Sequence, residues 1–320
     1  MRAVVTGCAG FIGSSLTDRL LSQGWDVTGI DSFEDYYARD LKERNLERAL
    51  TDPAFTLVEA DLVALASREG AAGVSLKEIV SSADHVYHLA AQPGVRGSWG
   101  ARFDTYVRNN VLATQMLLEC AKEVGLGSLV CASSSSVYGD AAALPMDEEA
   151  ECRPFSPYGV TKLASEHLAR LYARNFDLPI VSLRFFTVYG PRQRPDMAFN
   201  KFIRAALEGR PIRLYGDGSQ TRDFTFISDI VDGIVGAPNA PAGSVLNLGG
   251  GSRISLKEAL SVLGSVMGHE IAVEGSGMRA GDVTDTWAAV DRARGAIGFE
   301  PKVDLAHGLA AECDWLRETL

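Results

Sequence analysis

The stretch Gly7-Cys8-Ala9-Gly10-Phe11-Ile12-Gly13 constrains the fold of this chain more than any other, because of the segments on either side of it. A short apolar run, residues 2–6, precedes it and predicts a buried strand. Residues 11–23 follow with helical periodicity, and Gly24 stands where a helix C-cap is expected. Strand, glycine turn and helix form the context in which glycines admit a dinucleotide pyrophosphate. The spacing is G-x-x-G-x-x-G and not G-x-G-x-x-G, so an ordinary strand-to-helix turn stays open as the alternative.

An acidic residue, Asp31, follows directly on the second predicted strand, residues 26–30. A carboxylate at this position accepts hydrogen bonds from an adenosine ribose and repels a 2′-phosphate. The sequence therefore favours NAD over NADP as the dinucleotide.

Strands and helices continue to alternate along the first half of the chain. Further strands are predicted at residues 55–60, 85–89, 128–132 and, as the last parallel strand, 180–186; long helices are predicted at residues 104–122 and 154–175. Repeated strand–helix units indicate an α/β fold, a Rossmann-like doubly wound parallel sheet with helices on both faces. Ligands of such sheets bind beyond the carboxyl ends of the strands.

The second half of the chain has shorter elements of both kinds. Helices are predicted at residues 196–207, 256–267 (opened by a capping box at Ser255 and Glu258) and 304–320, and strands at residues 212–216 and 222–227. These elements indicate a smaller mixed α/β substrate-binding lobe. We expect an NAD-binding domain at residues 1–180 and mainly substrate-binding segments at residues 181–320, some of them returning to the first domain.

Charge and cysteine content narrow the class of partner. The formal net charge of −10 argues against nucleic acid or an acidic membrane surface, so an anionic ligand needs a local cluster of arginines. The five cysteines are scattered and include no C-x-x-C, which favours reduced thiols in a cytoplasmic protein. His85 and His88 point to opposite faces of a strand, so no metal site is expected.

The chemistry is centred on Tyr158 and Lys162, which are four residues apart and so share one face of a helix. An ammonium beside a bound cationic nicotinamide lowers the pKa of the phenol, which lets Tyr158 act as a base near neutral pH. An exposed helix turn gives the same spacing. The interpretation therefore depends on the glycine turn and on the serine-rich stretch at residues 133–139.

Taken in order, these motifs resemble the extended short-chain dehydrogenase/reductase superfamily, and within it the nucleotide-sugar epimerases. The resemblance runs nearly end to end and is carried by Gly7-x-x-Gly10-x-x-Gly13, Asp31, Asp61-Leu62, residues 88–92, Asn109, residues 133–139, Tyr158-x-x-x-Lys162, residues 184–191, 215–218 and 222–224, and Arg279-x-Gly281-Asp282. It implies a Rossmann-like fold that binds NAD and a UDP-sugar.

Three segments, residues 35–37, 92–96 and 187–198, look like those of UDP-glucuronate 4-epimerases. UDP-galactose 4-epimerases usually have asparagine where Thr187 stands. The 4,6-dehydratases and UDP-xylose synthases place an acidic side chain beside the catalytic hydroxyl, whereas Ser135 follows Ser134 here. The resemblance therefore implies conversion of UDP-glucuronate to UDP-galacturonate through transient oxidation at carbon 4.

The resemblance also implies the site residues. Those implied as catalytic are Ser134, Tyr158 and Lys162. Those implied to bind the cofactor are Gly7, Gly10, Phe11, Ile12, Gly13, Asp31, Ser32, Asp61, Leu62, Leu89, Ala90, Ala91, Gln92, Asn109, Tyr158, Lys162 and Phe186. Those implied to bind the substrate are Pro93, Arg96, Ser134, Ser135, Ser136, Thr187, Arg192, Arg194, Asn200, Tyr215, Arg222, Arg279 and Asp282.

In the implied reaction Tyr158 takes the proton of the sugar 4-hydroxyl, Lys162 holds the nicotinamide ribose and Ser134 hydrogen-bonds the reacting oxygen. The 4-keto uronate is a β-keto acid, so the enzyme must keep its carboxylate from aligning with the carbonyl. Hydroxyl groups of the serine run and of Thr187, and a guanidinium of Arg192 or Arg194, are suited to hold it.

Other functions remain open on the same motifs. A UDP-glucose/UDP-galactose 4-epimerase, or an epimerase or reductase of another nucleotide sugar, would use the same catalytic groups. A non-catalytic NAD-binding sensor is the alternative from another class. Relatives usually dimerise through two helices per subunit, here those at residues 104–122 and 154–175, so a homodimer is expected.

Overall fold

A computed structural model describes residues 1–67, 74–140, 143–276 and 283–319. Its strands are β1 (Arg2–Thr6), β2 (Asp26–Asp31), β3 (Phe55–Glu59), β4 (His85–His88), β5 (Ser128–Ser134), β6 (Ile180–Phe185), β7 (Thr187–Tyr189), β8 (Ile212–Tyr215), β9 (Thr221–Phe226), β10 (Val245–Leu248), β11 (Ser252–Ser255) and β12 (Val273–Ser276). Its α-helices are α1 (Phe11–Ser22), α2 (Arg39–Leu50), α3 (Leu62–Leu65), α4 (Leu76–Ser81), α5 (Phe103–Tyr106), α6 (Ala113–Val124), α7 (Pro157–Phe176), α8 (Ala198–Leu207), α9 (Ile227–Gly236), α10 (Leu256–Met267), α11 (Asp291–Ile297) and α12 (Leu305–Thr319).

The large sheet has the strand order β10-β6-β5-β4-β1-β2-β3 within the described residues, and every pairing in it is parallel. This confirms the Rossmann-like α/β fold class. The expectation that residues 180–186 form the last parallel strand is wrong, because β10 adds to the edge beyond β6. The short β10 follows β6 only after β7, α8, β8, β9 and α9, so its partner could not be found from order along the chain.

Both faces of the large sheet are covered by helices, as burial of parallel strands requires. Apolar side chains of α1 and α9, such as Leu16 and Ile230, form the core on one face. Side chains of α4, α6 and α7, such as Ile79 and Leu117, form the core on the other.

The smaller lobe is built on two short sheets, β11-β9-β7 and β12-β8. Phe199 of α8, Phe224 of β9 and Leu309 of α12 form its core. The capping box at the start of α10 is confirmed: Ser255 Oγ accepts from Glu258 N at 3.2 Å, and Glu258 Oε2 accepts from Ser255 N at 3.0 Å. The helix ends at Gly268 with φ +78°, as a left-handed C-cap should.

The two helices that carry the predicted site residues differ from their predicted form. The helix expected at residues 154–175 begins at Pro157, because Ser156 Oγ accepts from Gly159 N at 3.1 Å and caps it. The helix expected at residues 104–122 contains a π-helical segment, Val107–Leu112, between α5 and α6. Segments of this kind often occur at functional sites, and no periodicity of side chains announces them.

No helix in the described part of the chain is long and apolar enough to span a bilayer. His88 is buried between the hydroxyls of Thr6, at 2.8 Å, and Thr114, at 3.0 Å, so both ring nitrogens already have partners. All five cysteines have free thiols.

Candidate active site

A cleft lies at the carboxyl ends of the strands, where the strand order reverses between β1 and β4, as expected for a doubly wound sheet. Its empty volume is about 1190 Å³, counting the solvent at its mouth. The predicted site residues that line it are Gly7, Gly10, Phe11, Ile12, Gly13, Asp31, Ser32, Asp61, Leu62, Leu89, Ala90, Ala91, Gln92, Pro93, Asn109, Tyr158, Lys162 and Arg194.

The glycine turn after β1 leaves space for a phosphate group. Gly7 has φ +73°, and a Cβ there would lie 2.8 Å from Ala90 N. A Cβ on Gly13 would lie 2.0 Å from Gly7 O, so α1 can come this close to the turn only because residue 13 is glycine. No side chain caps α1 at Gly10 in the described structure, so the N–H groups of its first turn remain available to an acceptor. These features fit a dinucleotide pyrophosphate.

The carboxylate of Asp31 is fixed at the end of β2. It accepts from Phe33 N at 2.8 Å and from Ala9 N at 3.0 Å. Burial raises the pKa of Asp31, and the hydrogen bonds from the two backbone N–H groups oppose this increase. A desolvated carboxylate gains from further hydrogen bonds, so a ribose diol is a suitable partner.

Two of the three predicted catalytic residues, Tyr158 and Lys162, line one wall of the cleft, and Ser134 lies just outside the lining. The Ser134 hydroxyl hydrogen-bonds the phenol of Tyr158. Ser134 Oγ also accepts from Ser136 N at 3.1 Å. Lys162, one helical turn after Tyr158, is buried and lines the same wall.

Burial and neighbouring groups shift the pKa values of Tyr158 and Lys162. Burial raises the pKa of Tyr158, while the Ser134 hydrogen bond and the positive charge of Arg194 lower it. Burial lowers the pKa of Lys162 to about 8. In the protein without NAD, the positive charge that lowers the pKa of the phenol is that of Arg194. The effect of Lys162 beside a bound nicotinamide stays a prediction.

Close packing of α7 on the serine turn holds Tyr158 beside Ser134. A Cβ on Gly159 would lie 2.5 Å from Ser136 O, so only glycine allows the first turn of the helix to come this near. Ser135 and Ser136 begin the 3₁₀ turn that follows β5. They lie outside the lining of the cleft, as does Ser134, whereas Ser133 lines it.

The π-helical segment places Asn110 at a junction of three elements. Asn110 Oδ1 accepts from Gln92 N at 2.7 Å, and its Nδ2 donates to Gln92 O at 3.1 Å and to Thr161 Oγ1 at 2.9 Å. The loop after β4 and the helix of Tyr158 are thereby fixed to each other. Asn110 was not among the predicted site residues, and the neighbouring Asn109 lines the cleft.

The two candidate arginines for an acidic ligand have different positions. Arg194 lines the cleft and pairs with Asp196, its Nε donating to Oδ1 at 2.9 Å. Arg192 donates from Nη2 to Asp18 Oδ2 of α1 at 2.7 Å and is not part of the lining. Arg192 has φ +70°, and this left-handed turn directs the two side chains to different partners.

The remaining predicted residues lie outside the lining. Asn200 is buried, and its Nδ2 donates to Gln193 O at 2.7 Å. Arg222 donates to the carbonyls of Val283, at 2.7 Å, and Thr284, at 3.0 Å.

Phe186 packs with Tyr138, and Phe185 lines the cleft in its place. Arg96 is exposed and Thr187 half-buried. Arg279 and Asp282 lie outside the described residues, and so does the side chain of Tyr215.

A buried ionic network that contacts Ser133 of the cleft lining was not predicted. Arg184 donates to both oxygens of Glu166, at 2.9 and 2.6 Å, and from Nη1 to the Tyr138 hydroxyl at 2.8 Å. Ser133 Oγ donates to Glu166 Oε2 at 2.9 Å. The signal was present, since Glu166 follows Lys162 at helical spacing and a charged residue on a buried helix face requires a partner.

Four polar lining residues of the loop after β2 and of α2 were also missed: Glu34, Tyr36, Tyr37 and Lys42. Tyr36 and Tyr37 belong to a segment already noted in the sequence, but no position in the cleft had been given to them. Asp61 caps α3 through Ala64 N at 2.9 Å and pairs with Arg108.

Comparison with known proteins gives consistent matches over the whole chain. The model of the NAD dependent epimerase/dehydratase family matches residues 3–249. A UDP-glucuronic acid 4-epimerase from Bacillus cereus, solved with UDP-glucuronic acid and NAD, superposes with a TM-score of 0.94 at 40% identity, covering 100% of both chains.

Two curated relatives have similar coverage. A Bacillus subtilis (strain 168) protein named as an uncharacterized UDP-glucose epimerase is 40% identical over 319 residues, 99% of this chain and 98% of its own. A UDP-glucuronate 4-epimerase of Thermodesulfobacterium geofontis (strain OPF15) is 35% identical over 321 residues, 99% of this chain and 96% of its own.

Proposed function

The chain belongs to the NAD dependent epimerase/dehydratase family, and on that premise we propose that it interconverts UDP-glucuronate and UDP-galacturonate by inverting carbon 4. The observation that carries the proposal is the convergence of Tyr158 and Arg194 in one cleft. A phenol hydrogen-bonded by a serine suits removal of a proton from a sugar hydroxyl. A guanidinium beside it suits a carboxylate on the neighbouring carbon of the ring.

Each catalytic residue has a separate task in this proposal. NAD, when bound, accepts the hydride of carbon 4 and returns it to the opposite face of the sugar. Tyr158 takes the proton of the 4-hydroxyl and gives it back. Ser134 donates its hydrogen bond to the phenol oxygen, which lowers the pKa of Tyr158. Lys162 holds the nicotinamide ribose at the wall of the cleft.

The acid group of the sugar imposes a second task. After oxidation at carbon 4 the sugar is a β-keto acid, which loses carbon dioxide when the bond to its carboxylate aligns with the carbonyl. Of the two candidate arginines, Arg194 is the one we propose to hold this carboxylate, because it lines the cleft while Arg192 is paired with Asp18. Ser135, Ser136 and Thr187 are proposed as hydroxyl donors that come within reach when the sugar is bound.

The smaller lobe is proposed to bind the UDP group. Its candidate residues remain those of the sequence analysis: Asn200, Tyr215, Arg222, Arg279 and Asp282, with Pro93 and Arg96 near the sugar or the diphosphate. The division at residues 180 and 181 into an NAD-binding domain and a UDP-sugar lobe is part of the same proposal.

A homodimer is proposed through the helices at residues 103–124 and 157–176. Support comes from apolar side chains exposed on these helices, among them Phe103, Val107, Leu112, Leu171 and Phe176. Exposed apolar surface of this kind favours association. A reducing cytoplasmic location is proposed from the five free cysteines.

The test is the product formed from UDP-glucuronate by the purified protein, identified by NMR. We expect UDP-galacturonate, and we expect none from a Tyr158→Phe variant that still retains NAD. UDP-glucose is the control substrate, because a 40% identical relative is named for that sugar. Conversion of UDP-glucose with none of UDP-glucuronate would replace the proposed substrate by the alternative.

A further inference from the structure

Arg194 is held at the wall of the cleft by two other side chains. Its Nε donates to Asp196 Oδ1 at 2.9 Å and its Nη2 to Asp196 Oδ2 at 3.2 Å. The Tyr36 hydroxyl donates to Asp196 Oδ2 at 3.1 Å. The guanidinium also lies over the Tyr36 ring, 6.0 Å from its centroid. Asp196 is therefore fixed from one side by Tyr36 while it fixes Arg194 on the other.

The two hydrogen bonds to Asp196 use one edge of the Arg194 guanidinium, and a second edge is not used by Asp196. Asp196 takes Nε and Nη2, which form the side edge. The end edge, formed by Nη1 and the second hydrogen of Nη2, is not used by Asp196 and can accept a second carboxylate in the same two-point geometry. The direction of the end edge is set by Asp196, because two parallel hydrogen bonds fix the plane of the guanidinium.

Tyr36 ties this pair to the cofactor half of the molecule. It lies in the loop between Asp31 and α2, and a Cβ on Gly94 would come within contact of its hydroxyl. Tyr36 thus lies between the loop after β4 and the segment of Arg194. The position of Arg194 is consequently fixed relative to the loop that follows Asp31.

We propose that Asp196 and Tyr36 are positioning residues that aim the end edge of Arg194 at the carboxylate of a uronic acid sugar. This inference rests on the proposed function. It extends that function by naming the residues that make the site selective for an acidic sugar over a neutral one. It also assigns a role to Asp196 that a simple count of charges would miss, since its own charge opposes binding of an anion.

The test is to move the anchor while keeping its charge, with Asp196→Glu, which displaces the guanidinium by one methylene. The matched control is Asp18→Glu, the same substitution in the ion pair that Asp18 makes with Arg192. Arg192 lies in the same loop as Arg194. Both are made in the Tyr158→Phe background, in NAD-loaded protein, and dissociation constants for UDP-glucuronate and UDP-glucose are measured by calorimetry. Retained NAD and the midpoint of thermal unfolding check folding.

We expect Asp196→Glu to raise the dissociation constant for UDP-glucuronate about tenfold, because one charged hydrogen bond to the carboxylate becomes misaligned. The dissociation constant for UDP-glucose should rise by less than about twofold. Tyr36→Phe should shift the same ratio in the same direction by less, and Asp18→Glu should not shift it. In the active background, Asp196→Glu should also raise the carbon dioxide released per turnover of UDP-glucuronate.

Two results would overturn the inference while leaving the proposed function intact: Asp196→Glu behaving like Asp18→Glu, or weakening both sugars equally. Should Asp196→Glu fail to fold, the Tyr36→Phe ratio decides by the same criterion. A parent protein that neither binds nor converts UDP-glucuronate would refute the proposed function itself, and the inference with it.

Discussion

Two arginine–carboxylate pairs, one on the helix that carries Tyr158 and one on the wall of its cleft, differ in burial and in what remains open on each. The Arg184–Glu166 pair joins β6 to α7, with side chains only 3% and 1% exposed. The Arg194–Asp196 pair lies on the wall of the cleft, with side chains 20% and 35% exposed. Both are two-point pairs of the same chemical type, so the difference in their environment is informative.

In the buried pair, protein groups occupy every face of the ions. Glu166 has Arg184 and Ser133, and the third nitrogen of Arg184 is taken by Tyr138. In the wall pair the end edge of Arg194 is left for a ligand. The buried network, in which the ions are hydrogen-bonded to protein groups, fixes β5, β6 and α7 to each other. Recognition of an anion instead needs an arginine at a surface whose hydrogen-bond donors are only partly used by its carboxylate partner.

The largest expected effect comes from breaking the buried pair. Arg184→Ala leaves the Glu166 carboxylate buried with Ser133 as its remaining described partner, so the free energy of unfolding should fall by about 3–5 kcal/mol. Urea denaturation of the NAD-loaded protein measures it. Arg194→Ala is the matched control and should cost less than about 1 kcal/mol, because its pair is partly solvated. Equal losses in the two variants would remove the distinction between the pairs.

The next effect concerns recognition. Arg194→Ala should lower kcat/KM for UDP-glucuronate about 100-fold, because a charged hydrogen-bonded pair with the substrate is lost. Arg192→Ala, whose side chain is paired with Asp18, should lower it much less. Steady-state kinetics on both nucleotide sugars checks this. If Arg194→Ala affected UDP-glucose as strongly as UDP-glucuronate, a carboxylate role would be refuted.

Burial of Lys162 predicts a smaller, pH-dependent effect on stability. Its pKa is lowered to about 8, against about 10.4 when unfolded, so the folded state binds fewer protons between these values. The free energy of unfolding of the parent therefore rises with pH across this window, and below it the cost of the buried charge is fully present. Lys162→Met should thus stabilise the cofactor-free protein by about 3 kcal/mol at pH 7, because the pKa is lowered by about 2.4 and each unit corresponds to about 1.4 kcal/mol.

The pH dependence distinguishes this cause from better packing of methionine. The difference between Lys162→Met and the parent should shrink as pH rises from 8 towards 10.4. Denaturation curves at pH 7 and pH 10 measure it. A gain that is the same at both values would mean that the charge of Lys162 is not responsible.

The smallest expected effect is at the edge of the buried network. Tyr138→Phe removes the hydroxyl that accepts from Arg184 and donates to Asn247 Oδ1 at 2.7 Å. It should cost about 1–2 kcal/mol of unfolding free energy, the range for a buried hydrogen bond left with one unpaired partner. Thermal unfolding reports it, with Tyr36→Phe as the control at the solvated pair, where the cost should be smaller. The reverse order would contradict the comparison.

The same contrast explains which features the sequence could predict. The glycine turn, Asp31 and the Tyr158/Lys162 spacing are local patterns, and each lies where its own strand or helix places it. The buried position of Glu166 could be predicted in part, because it follows Lys162 at helical spacing. Its partner Arg184 is on another element, and no local pattern identifies it.

Features that depend on distant segments were not predictable. The choice between Arg192 and Arg194 is made by Asp18, in α1, and by a left-handed turn at Arg192. The position of β10 depends on pairing with β6, which is separated from it along the chain by part of the smaller lobe and by α9. The π-helical segment that presents Asn110 arises from packing between helices, and its residues read as ordinary helix.

The central claim is that carbon 4 of the uronate is inverted by transfer of its own hydrogen out and back. UDP-glucuronate carrying deuterium at carbon 4, incubated with the enzyme in ordinary water, tests it directly by NMR of the product. The account predicts UDP-galacturonate with the deuterium still at carbon 4. UDP-galacturonate with hydrogen from water at that position would contradict it.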